Sequence, residues 1–109
     1  MAEALKVLGQ SNPAASTLTA CYTVPALTTS TVSSLVVCNQ ASSQGTFRVS
    51  VAVAGAADAT KQYIYRDLTI SSKNTFIATV GLTLGAGDIV RVYASNASMS
   101  FQLFGVEVT

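Results

Sequence analysis

The chain has 109 residues, six basic and five acidic, with no histidine, a formal net charge of +1 and a hydrophobic share of 50%. That balance offers no field to draw in nucleic acid or an acidic membrane surface. With no imidazole to carry protons near neutral pH and with its acids scattered singly, the chain lacks the usual equipment of acid–base catalysis, and its length fits one domain, residues 1–109.

Leu5 and Val7 alternate with polar or small neighbours before Gly9, and Ser11 to Ser16 reads as a loop. Leu18, Ala20, Tyr22 and Val24 are expected on one strand face, ending at Pro25. From Thr31 to Cys38 the pattern is apolar on both sides, as in a strand covered by its own core and by something else. Asn39 to Gly45 is a polar turn. In the next strand Phe47, Val49, Val51 and Val53 are expected to point one way and Thr46, Arg48, Ser50 and Ala52 the other.

Gly55 to Thr60 reads as a loop or a short helical turn, followed by Tyr63-Ile64-Tyr65, Leu68-Thr69-Ile70 and a turn over Ser71 to Asn74. Phe76, Ala78 and Val80 are expected to face inward, and Gly81 to Gly87 to form a glycine-bearing connection. Val90, Val92 and Ala94 line the following strand. In the last one the apolar positions switch from odd (Met99, Phe101, Leu103) to even (Val106, Val108), which predicts a β-bulge at Phe104-Gly105. About eight short strands with turn signals at this spacing predict an all-β fold, an antiparallel β-sandwich of jelly-roll type.

Cys21 and Cys38 each sit inside an apolar strand pattern, so two small buried thiols are expected rather than a disulfide. With only two cysteines and no histidine, a structural zinc site has too few ligands. The start, Met-Ala-Glu-Ala-Leu-Lys, lacks the layout of a secretory signal, and the longest apolar runs are far too short to span a bilayer; folding in a cytoplasm is expected.

Charged residues make up 10% of the chain, against about a quarter in an ordinary soluble domain. Edge strands of a sandwich need guarding, and outside the termini only Lys61 and Lys73 stand as lysine guards. Strand edges and flat faces covered by other subunits are therefore expected, since obligate interfaces are poor in charge.

The densest aromatic and cationic cluster is Tyr63, Tyr65 and Arg66. Two tyrosines on one strand face are able to stack on a sugar ring while Arg66 and Asp67 bind hydroxyls; the plainer reading is a core or interface patch. Asp58, Asp67 and Asp88 are too isolated for a calcium loop, and Gly85-Ala86-Gly87 lacks the ending of a phosphate loop. No catalytic, metal or cofactor site is expected.

Several stretches, in order along the chain, resemble a family of small virion proteins of tailed bacteriophages, frequent in phages of cyanobacteria. They are Lys6-Val7-Leu8-Gly9-Gln10, Tyr22-Thr23-Val24-Pro25, Ser34-Leu35-Val36-Val37-Cys38-Asn39, Phe47-Arg48-Val49-Ser50-Val51, Asp88-Ile89-Val90-Arg91-Val92-Tyr93-Ala94 and Ser100-Phe101-Gln102-Leu103-Phe104-Gly105. The resemblance implies a non-enzymatic virion component assembled in the host cytoplasm. A capsid decoration or cement protein, as a homo-oligomer (a trimer first), is the expected role, with the major capsid protein or other virion proteins as partners. A tail, neck or fibre component and a carbohydrate-binding module are the alternatives.

Overall fold

Residues 2–109 are described by a computed structural model. The strands are β1 (Glu3–Ser11), β2 (Thr19–Thr23), β3 (Thr29–Asn39), β4 (Gly45–Ala52), β5 (Tyr63–Ile70), β6 (Thr75–Leu84), β7 (Ile89–Ala94) and β8 (Met99–Val108). They form two four-stranded antiparallel sheets, β1-β8-β3-β6 and β2-β7-β4-β5. The first four strands pair with the last four in reverse: β1 with β8, β2 with β7, β3 with β6 and β4 with β5. This is a long hairpin rolled into a jelly-roll sandwich, with two short 3₁₀ turns between β4 and β5.

The sheets meet over Phe47, Phe101, Leu35, Met99 and Leu103, with Val24, Val32, Val37, Val49, Val90 and Val92 around them, all fully buried. Phe47 is the hub of the aromatic core, with ring centroids 5.4 Å from Phe76 and 6.1 Å from both Tyr65 and Phe101. At about 1.5–3 kcal/mol for each large apolar side chain buried, this core accounts for the fold without a covalent staple. Both cysteines are free. They are half-buried rather than fully buried, and burial pushes the Cys21 thiol up to about 11.

Several sequence expectations are corrected. The last strand carries no extra residue at Phe104-Gly105. Its odd-numbered face runs on through Gly105, whose α-carbon faces Leu8 and the Thr31 carbonyl, to Glu107, which meets Tyr22 from the other sheet. The extra residues belong to the neighbours: the β1–β8 register shifts between Val7 and Gly9, and the β3–β8 register shifts between Val32 and Ser34. The switch in apolar parity therefore marks apolar side chains on the outside, not a kink.

Gly81 to Leu84 belongs to β6, and only Gly85 to Asp88 turns, with the Gly85 N–H donating to Asp88 Oδ2 at 2.9 Å. Gly81 instead takes up a shift in the β3–β6 register with a positive φ of 60°. Ala20 is exposed while Tyr22 and Val24 are buried, because the β2–β7 register slips at Cys21. Val53 leaves the strand and is 68% exposed. Ser50 and Ala52, expected outside, are buried because residues 53–62 fold back over that side of β4.

Candidate functional site

The two outer faces of the sandwich differ in chemistry. On the β1-β8-β3-β6 sheet, Leu5 stands opposite Val106 and Val7 opposite Phe104. With Lys6, Thr31, Ser33 and Gly105 these residues line a shallow groove. Leu5 is 88% exposed, an unusual position for a leucine flanked by a valine and a phenylalanine. Further along the same face Val36 pairs with Ile77, itself 68% exposed, and Gln10 donates to Gln102 at 3.1 Å. Charge is sparse on this side: strand alternation puts Glu3 at its rim opposite Val108, Lys6 borders the groove while its amine reaches Glu107, and Lys73 lies at the far end beside Cys38.

The outer face of β2-β7-β4-β5 is cationic and aromatic, and its polar groups satisfy one another. The Arg48 guanidinium lies 4.2 Å from the centre of the Tyr93 ring and bonds Asp67, Nε to Oδ1, at 2.7 Å. That hydrogen bond holds the Asp67 carboxyl below its usual range. Arg66 sits 4.8 Å from the Tyr63 ring centre, and the Tyr63 hydroxyl donates to Asp58 Oδ1 at 2.9 Å. Arg91 Nη1 donates to the Ala56 carbonyl at 2.8 Å, pinning the excursion that covers Ser50.

The cluster Tyr63, Tyr65 and Arg66 does not converge as the sequence predicted. The β4–β5 register advances by one residue from Val49 to Ser50 but by two from Tyr65 to Tyr63, leaving Ile64 as the extra residue. A second irregularity, at Asp67 with φ of 56°, follows on the same strand. Alternation is broken, so the tyrosines part. Tyr65 turns inward against Phe47 and Phe76, while Tyr63 stays outside with Arg66 stacked on it. The three aspartates also stay apart: Asp58 serves Tyr63, Asp67 serves Arg48, and Asp88 accepts from the backbone of Ala54 and Gly85.

The residues that sequence reasoning missed are Leu5, Val7, Phe104 and Val106 as one outward patch. The signal was present in the even-numbered apolar positions of the last strand. No protein-family model matches this chain, and no curated protein matches it.

Proposed function

We propose that this chain is a non-enzymatic structural subunit of a virus particle, a capsid decoration or cement protein that docks through its β1-β8-β3-β6 face. The observation that carries the proposal is the segregation of charge. One broad sheet face bears mainly apolar, hydroxyl and amide side chains, with its few charges at the margins (Glu3, Lys6 and Lys73), while the arginines gather on the other. Charged side chains are depleted at the centre of protein interfaces because each must shed its water there. The opposite face, where Arg48 is paired with Asp67, Arg66 rests on the Tyr63 ring and Arg91 donates to backbone carbonyls, is suited to remain in solvent. The ordered resemblance to phage virion proteins supplies the kind of particle.

On this reading the mechanism is area. Many copies, each held weakly, bridge neighbouring capsid subunits and resist the pressure of packaged DNA. A tail or neck part would use the same face at far lower copy number. The glycan reading is not favoured, since Tyr63 and Tyr65 lie on opposite sides of β5 and Arg66 already occupies the Tyr63 ring.

Cryo-electron microscopy of particles carrying the chain tests the proposal. Density on the icosahedral shell, with Leu5 and Phe104 at the contact, is the expected result. Absence from the particle overturns the virion reading, and a handful of copies confined to the tail overturns the decoration role.

A further inference from the structure

We propose that the first half of β6 pairs edge to edge with β6 of a second copy of this chain, antiparallel about a two-fold axis through Ile77. The pairing joins two four-stranded sheets into one of eight. It does not rest on the virion reading.

Four strands end the two sheets: β1, β6, β2 and β5. An end strand presents unpaired N–H and C=O groups, and proteins blunt it with charge, irregularity or shortness. β1 has Glu3, Lys6 and a register shift; β5 has Arg66, Asp67 and two shifts; β2 is five residues long with a shift at Cys21. β6 has no charged residue and no proline in its ten residues. Its pairing with β3 is regular from Thr75 to Thr79 and breaks only beyond, at Val80 and Gly81. The regular window is open on its outer edge and carries none of these guards.

The occupant follows from the symmetry of that window. Thr75 to Thr79 is centred on Ile77, between the turn at Lys73-Asn74 on one side and the register break on the other. A two-fold axis through Ile77 sets it against the partner's Ile77, and sets Thr75 against the partner's Thr79. Pairs of β-branched residues suit cross-strand positions, and no like charges meet. The side of the sandwich beneath this edge points the same way. There Tyr65 and Phe76 stack edge to face at 5.3 Å, both only half-buried, and a second copy's β6 would cover them. An isologous pair of this kind is two-fold, in place of the trimer expected from sequence.

The test combines sedimentation with amide hydrogen exchange on the full chain. A dimer is expected at about 100 µM that dissociates on dilution, as befits a small interface. Outward-pointing amides among Thr75–Thr79 should gain protection as concentration rises, while those of β1 stay unchanged. Ile77→Lys, with an unaltered circular dichroism spectrum, should weaken the dimer about tenfold or more by setting like charges on the axis. If that variant fails to fold, the exchange pattern of the unmodified chain decides. A monomer throughout the range, a trimer, or a dimer without concentration-dependent protection of β6 overturns the pairing. So does a dimer that Leu5→Glu dissociates and Ile77→Lys does not. Failure here leaves the virion reading standing, and absence from a particle leaves this pairing standing.

Discussion

The Tyr22 hydroxyl donates to Glu107 Oε2 at 2.6 Å, linking β2 of one sheet to β8 of the other. Ser30 lies 2.6 Å from the same hydroxyl, and Lys6 Nζ bonds Glu107 Oε1 at 3.0 Å. Four strands from both sheets are thus tied at one end of the sandwich. The apolar core is non-directional, whereas this network sets how the sheets sit over one another.

Acid should loosen this tie. The hydrogen bond from Tyr22, and then Lys6, hold the Glu107 carboxyl below its usual range. A depressed folded value adds stability above the unfolded value, near pH 4.3, and that stability is lost as pH falls through the folded value. Urea melts should show Glu107→Gln destabilised relative to the unmodified chain at pH 7, with the gap narrowing as pH falls below the unfolded value and through the lower folded one. A gap that does not change with pH would exclude this role for the carboxylate.

The alkaline side has the opposite sign. Desolvation, reinforced by Glu107, raises the Tyr22 hydroxyl to about 12. A raised folded value contributes stability that is complete below the unfolded value, about 10, and disappears as pH climbs towards 12. Tyr22→Phe should cost about 1–3 kcal/mol at pH 7 and should flatten the alkaline limb of the stability curve. An alkaline limb identical in both proteins would point to another group.

Gly105 faces the Thr31 carbonyl oxygen so closely that a Cβ would collide with it and press on Leu8. Gly105→Ala should cost about 1–3 kcal/mol, read from the urea midpoint, because β3 must shift to make room. A neutral substitution would mean that the strands part without loss of pairing.

The Ser50 hydroxyl is buried with no hydrogen-bond partner among the described residues. Removing an unsatisfied hydroxyl relieves its desolvation cost, so Ser50→Ala should leave stability unchanged or raise it by about 1 kcal/mol. A clear loss of stability would reveal a partner that the hydroxyl finds in solution.

Tyr65 and Tyr63 should respond differently to alanine. Tyr65 belongs to the aromatic core, and its loss should cost about 2 kcal/mol or more in thermal or urea denaturation. Tyr63 lies on the outer face with its hydroxyl on Asp58, and its loss should be much milder. Equal effects would contradict the register shift at Ile64.

Strand class, strand number and most inward residues were legible in the sequence because alternation with period two is a local property of the chain. Phe47, Val49, Val90, Val92, Ala94 and Phe101 needed no tertiary knowledge to be placed inside. Register was not legible. A one-residue slip moves every later side chain to the other face, and slips at Leu8, Ser33, Ile64 and Gly81 depend on neighbours distant in sequence. Only the folded chain decided that Tyr63 and Tyr65 separate, that Ser50 is covered, and that the late apolar residues Phe104 and Val106 join Leu5 and Val7 on a charge-poor outer face. The sequence alone determined that charge is scarce; the pairing of strands far apart along the chain determined which face carries least of it.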